Sequence, residues 1–295
     1  MSSRSSDLRR ARPLLGTIVE VVVGGAPRAV LHRGVDAAFR AVSRVHDLMS
    51  FHDPESELSR LNREARHRAV RVAPETFAVL ALARQVAEAS EGLFDTTIAP
   101  QLVQWGYLPA FNDAVPERQG TIADVEFRPG RRVRYARPLL IDLSGIAKGY
   151  AVDLAVEALR MAGVARGVVN AGGDLRVFGP GAETVHVRHP RRPGLLVPLA
   201  SLREAAVATS ADYFSRRLVG GRWVSPIVHP GHGAPRVRAG SVSVVAPICA
   251  VADALTKVVI LGGTAAFPIL KRFSASALVL TTDGHIVVSE GVHAS

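Results

Sequence analysis

The sequence is poor in lysine: Lys148, Lys257 and Lys271 are the only ones in 295 residues, so arginine supplies nearly all of the positive charge. Cysteine occurs once, at Cys249, which excludes an intramolecular disulfide and a zinc site built on cysteine pairs. Aromatic residues make up 5% of the chain, and no basic run is interleaved with them. That excludes the stacking platform of a single-strand nucleic-acid binder. No apolar window approaches the length of a membrane span, so no membrane insertion is expected. The start, MSSRSSDLRRARP, leads into an apolar stretch that reads as a strand and not as a secretory signal, so the expected location is cytoplasmic. No repeat and no low-complexity linker divides the chain.

With 48% hydrophobic residues the chain can bury a substantial core, and its net charge of +10 reads as a solvated, arginine-rich surface. Residues 1–11 read as a flexible tail. Leu14 to Val23 is β-branched and closed by Gly24-Gly25, which predicts a strand. Leu31 to Met49 places Val35, Ala38, Phe39, Val42 and Val45 on one helical face, and Pro74 to Ser90 repeats the pattern. Between them Asp53-Pro54 is a turn and Ser56 a helix cap. FDTTIAPQLVQWGY, from Phe94, is either a loop lining an aromatic slot or a packed connection. Residues 112–137 read as hairpin or loop. Later strands are expected at 167–170, 175–178 and 241–246, a helix at 250–262, and a terminal hairpin across Thr282-Asp283-Gly284. Strands and turns between 183 and 224 include Thr209, Ser210 and Tyr213.

The densest stretch is PLLIDLSGIAKGYAVD, residues 138–153. It reads as a short strand ending on Asp142, a Ser144-Gly145 turn, and a helix from Ile146 that Gly163 stops. A strand feeding a helix in this way points backbone N–H groups at whatever sits above the turn, where an anion binds. Lys148 opposes the helix dipole there, so it is either solvated or partnered by a phosphate or Asp142. Asp253 and Lys257, four apart on a later helix, read by themselves as a surface ion pair.

Ordered blocks run over nearly the whole chain: Leu15-Gly16-Thr17, Ser50-Phe51, SELSRLN, FDTTIAPQLVQWGY, DLSGIAKGYAVD, VNAGGDLRVFG, ATSADY, SVSVVAP and VADAL. Together they resemble the FAD:protein FMN transferase (ApbE) family. The resemblance implies an α+β fold of two mostly antiparallel sheets packed with helices, a flavin cleft between them, and one domain over residues 12–295. It implies a transferase that moves FMN from FAD to a Ser/Thr hydroxyl of a target flavoprotein and releases AMP. Carried over by motif, Leu15, Phe51, Leu93, Phe94 and Asp95 contact FAD, as do Asp142, Lys148 and Val228. Magnesium is implied at the diphosphate, held by the Gly145 carbonyl and Asp253.

The chain departs from the family pattern at three places. Proline 226 stands where the family has a histidine base, His229 where it has aspartate, and Lys257 where it has a metal-binding threonine, with Thr256 one residue early. The expected catalytic pair is therefore His229, or else His232, as replacement base, and Lys257, which takes over the metal's charge at the diphosphate. Two other functions compete: hydrolysis of FAD to FMN and AMP, and flavin binding without catalysis.

Overall fold

A computed structural model of the chain describes residues 7–110, 117, 120–189, 192–211, 215–235, 240–281 and 284–289. Tyr213 and the Thr282-Asp283 turn lie outside them. The described chain opens with a hairpin of β1 (Leu8–Leu14) and β2 (Thr17–Gly24). Its turn residues, Leu15 and Gly16, have φ of 55° and 70°, the left-handed pair that matches the twist of the flanking strands. Strand β1 thus takes in residues 8–11, which the sequence reading gave to a tail. The β-branched run of β2 offers them a ladder, and Arg9 pairs with Glu20 across it at 2.5 Å.

Helices α1 (Arg28–Met49), α2 (Glu57–Glu64), α3 (Pro74–Ala89) and α4 (Ala99–Gln104) follow, with β3 (Val70–Arg71) between α2 and α3. The apolar stripe predicted for α1 is its buried face. Ser56 caps α2, accepting from the Ser59 amide at 3.1 Å. Strands β4 (Val125–Arg128) and β5 (Arg132–Tyr135) form a hairpin that β3 joins in a three-stranded sheet. Next come α5 (Ala147–Met161), β6 (Arg166–Ala171), β7 (Asp174–Phe178), β8 (Glu183–His189), β9 (Arg192–Leu202) and β10 (Ala206–Ala211). The chain continues through β11 (Arg217–Val219), β12 (Arg222–Val224), β13 (Gly240–Ala246), α6 (Cys249–Gly262), α7 (Phe267–Lys271), β14 (Ser276–Thr281) and β15 (Ile286–Val288).

Eight strands make one antiparallel sheet in the order β1-β2-β6-β7-β10-β13-β14-β15. Side-chain alternation gives it two different faces. Val169 and Ala171 of β6 enter the main core, which also takes the apolar faces of α1, α5 and α6. Val168, Val177 and Val207 point the other way and pack with Val185, Val187 and Leu202 of the β8–β9 hairpin. The architecture is α+β, with one large antiparallel sheet, smaller sheets, and helices packed on them.

Two local expectations fail. Residues 138–142 belong to no strand, and the backbone at the end of the segment is satisfied by other partners. The Asn62 side chain brackets Ile141, accepting from its amide and donating to its carbonyl at 2.9 Å each, and the Asp142 amide donates to Thr96 at 2.8 Å. Second, Cys249–Lys271 is long and apolar enough to cross a membrane. Here it is a core segment: α6 is buried nearly all round, and the backbone breaks at Gly263, φ 62°.

Candidate active site

The site begins where α5 and α6 cross. A Cβ at Gly149 would stand 2.4 Å from the Cys249 carbonyl oxygen, so only glycine permits this approach. Asp153, one turn further along α5, accepts from the Cys249 and Ala250 amides at 2.9 Å each and from Arg176 at 2.9 Å. It caps the start of α6 from outside that helix. The contacts Asp153 to Cys249, Gly149 to Asp253 and Gly145 to Lys257 run in opposite senses along the two helices. The helices are therefore antiparallel, and the middle of α6 faces the turn that starts α5.

A cavity of about 460 Å³ opens above this crossing. Lys148 and Lys257 both line it. Lys148 is held by Asp174, the residue after the Gly172-Gly173 turn, and not by Asp142, one of the partners the sequence allowed. The antiparallel register of β6 and β7 brings Asp174 there, paired with Ala171 across the turn. Lys257 is held by Asp253, donating to its carboxylate and, at 3.0 Å, to its backbone carbonyl. Both aspartate side chains are 1% exposed, whereas the lysines keep 30% and 20%. Burial pulls Lys148 below the ordinary lysine range, and the Asp253 charge opposes the shift.

The turn's own N–H groups are largely spoken for. Ser144 donates to Asp142 at 3.1 Å, Ala147 to the Leu143 carbonyl at 2.8 Å, and Gly149 to Asp253 at 3.2 Å. Negative groups reach this helix start from the protein itself, so the anion-binding capacity rests on the ammonium groups. Asp142 lines the cavity and also accepts the Ser144 hydroxyl. Burial pushes its carboxyl above the usual range, against the Ser144 hydrogen bonds and the nearby Lys257 charge. Leu93, Phe94, Ile227, Val228 and Leu261 form the apolar wall. Asp95 is also at the wall, but its Oδ1 accepts from the Thr97 amide and hydroxyl at 2.9 Å each, which caps the short helical turn 96–98. Thr96 is buried and lines the cavity, and among the described residues its hydroxyl has no partner.

A model of the ApbE family matches residues 15–279. The chain belongs to the ApbE family. An FAD:protein FMN transferase of Vibrio cholerae is 30% identical, over 82% of this chain and 78% of that protein. Among solved structures, an ApbE protein from Thermotoga maritima superposes with a TM-score of 0.83 at 29% identity. The flavin transferase ApbE from Vibrio cholerae gives 0.78 at 27%. Each comparison covers 97% of both chains.

Other residues named from the ApbE blocks sit elsewhere. Leu15 occupies the β1–β2 turn, and Phe51 is 3% exposed inside the core; neither lines the cavity. Gly172 does line it, and a Cβ there would meet the Thr17 hydroxyl at 2.5 Å, so the β1–β2 and β6–β7 turns pack side by side. His229 lines a second cavity of about 560 Å³ that shares Ile98, Val228 and Pro230 with the first. Its Nδ1 accepts from the Gly231 amide at 3.1 Å, and its ring stacks on His232 at 3.9 Å. His232 accepts from Ala234 in the same way, at 3.3 Å. His229 thus stands beside the first cavity, on the wall of the adjoining one, and His232 lines neither of the two.

Magnesium does not fit the residues present. One Asp253 oxygen meets the Lys257 ammonium and the other accepts from Gly149. The Thr256 hydroxyl donates to the Asp253 carbonyl at 2.7 Å and bonds the Ser210 hydroxyl at 2.8 Å. Among the described residues no cluster of three or more His, Cys, Asp or Glu side chains is suited to a metal ion. Both carboxylate oxygens of Asp253 already accept, one of them from an ammonium, so a hard cation here would have to compete with Lys257 for its carboxylate ligand. Asp174 and Asp153 escaped the sequence reading. Asp174 directly follows the Gly172-Gly173 pair, and Asp153 closes the central motif as an acid inside an otherwise apolar helix face.

Proposed function

We propose that this chain transfers the FMN moiety of FAD to a Ser/Thr hydroxyl of a target flavoprotein, releasing AMP. The observation that carries the reading is the cavity itself: two ammonium groups on a polar floor, beside an apolar wall, suit a diphosphate joined to a flat ring system. Lys148 and Lys257 hold the diphosphate, with Asp142 and the Gly145 turn at its edge. Leu93, Phe94, Asp95 and Val228 contact the remainder of FAD. Leu15 and Phe51 support the walls from behind.

In the reaction the acceptor hydroxyl oxygen attacks the phosphorus on the FMN side. A new P–O bond forms, the P–O bond to AMP breaks, and AMP leaves with the electron pair. The ammonium groups stabilise the charge that grows on the leaving phosphate. The hydroxyl proton goes to His229 once its ring has released the Gly231 amide, with the acceptor segment entering through the adjoining cavity. Incubation with FAD and candidate flavoproteins tests this, by chromatography for AMP and mass spectrometry for added FMN. AMP and FMN without a modified protein would make the chain a hydrolase; intact FAD throughout would make it a flavin binder. The variant His229→Ala is expected to abolish transfer and keep FAD binding. Unchanged transfer would pass the proton to Asp142, the carboxyl in the cavity wall.

A further inference from the structure

The cavity holds two of the three lysines of the chain, Lys148 and Lys257. Each ammonium is gripped by a fully buried aspartate on a different element: Asp174 on β7 for Lys148, Asp253 on α6 for Lys257. An ammonium has three N–H groups. Lys257 spends two on Asp253, and Lys148 spends one on Asp174, so three remain for acceptors in the cavity. The aspartates are out of solvent while the lysine heads face the space. That is the arrangement of a fixed anion cradle and not of a solvated surface pair.

We propose that the paired ammonium groups of Lys148 and Lys257 bind the diphosphate without a divalent cation. The inference rests on the flavin reading above and deepens it. Lys257 sits on the one carboxylate of the α5–α6 crossing that a cation would need, and it carries its own positive charge into that place. A magnesium ion demands near-octahedral oxygen ligation. Here it would have to displace the ammonium from Asp253 and then sit beside it, two like charges within a few ångströms. The ammonium delivers less charge than the ion, but it is held at the site already, oriented by two hydrogen bonds.

The test is FAD binding to the full chain, followed by flavin fluorescence, in EDTA and in millimolar magnesium chloride. Wild-type affinity is expected to agree within about twofold between the two buffers. Replacing the ammonium by the hydroxyl of Lys257→Thr is expected to weaken binding in EDTA by about tenfold, the loss of one charge-assisted contact. Magnesium should restore that variant, and Lys257→Arg should stay indifferent to metal. Manganese titrated calorimetrically into the chain without FAD should show no site in the wild type. A wild type that needs magnesium to bind FAD overturns the inference, as does a Lys257→Thr variant that binds like wild type in EDTA. If Lys257→Thr does not fold, the wild-type comparison decides alone. Failure to bind FAD in either buffer overturns the flavin reading, and the inference with it.

Discussion

At the scale of single residues, the site depends on carboxylates that face lysines out of reach of water. Asp174→Asn leaves Lys148 with no counter-charge at that position. Breaking a buried pair from one side typically costs 3–5 kcal/mol, and the partial exposure of Lys148 reduces this to about 2 kcal/mol. A urea midpoint unchanged from wild type would contradict that pairing. Asp142 carries a different signature. Its folded-state pKa is raised by burial, so its stability contribution is full below the unfolded value of about 4 and is lost as pH rises through the folded value. Asp142→Asn should therefore gain on wild type as pH goes from acid to neutral. Paired thermal melts across that range measure the difference, and a difference independent of pH would refute the burial. Of these residues, Asp142 and Lys148 were legible in one motif. Asp174 was not, because only the β6–β7 register carries it to Lys148.

At the scale of elements, the α5–α6 crossing sets the floor of the cavity. Gly149→Ala drives a methyl group into the Cys249 carbonyl and the Ala250 backbone, neither of which can swing aside. Overpacking of this kind costs about 2 kcal/mol, and chemical denaturation should show it. Asp153→Ala strips the cap from α6 and leaves Arg176 facing no carboxylate, a loss of about 3 kcal/mol. A loss below about 1 kcal/mol would mean that α6 is held by its apolar packing alone. The helices themselves were readable from apolar spacing. The strand expected at 138–142 was not a strand, because Asn62 and Thr96 satisfy the backbone that a sheet neighbour would otherwise have taken.

At the scale of the whole molecule, ligand binding reports on both proposals through stability. FAD held at about a hundredfold its Kd adds about 2.7 kcal/mol to the folded state, a rise in Tm of about 5 °C for a chain of this size. The shift should be equal in EDTA and in magnesium. No shift in either buffer would count against flavin binding, and a shift only with magnesium would count against the lysine cradle. The positive net charge acts at longer range. It should speed the approach of the anionic dinucleotide at low ionic strength, an effect that salt removes without touching the contacts inside the cavity.

By itself the sequence determined the helices of apolar period, the α+β class, the family and the stretch around which the site is built. Those features are local: an amphipathic segment must bury its face in whatever fold it joins, and an ordered set of motifs survives without knowledge of contacts. The tertiary structure alone decided that Lys148 turns to Asp174, that Asp153 caps α6, that the Gly149 amide reaches Asp253, and that His229 opens on a neighbouring cavity. Each of these depends on strand register or helix crossing, which bring together residues tens of positions apart, and no local pattern encodes that distance.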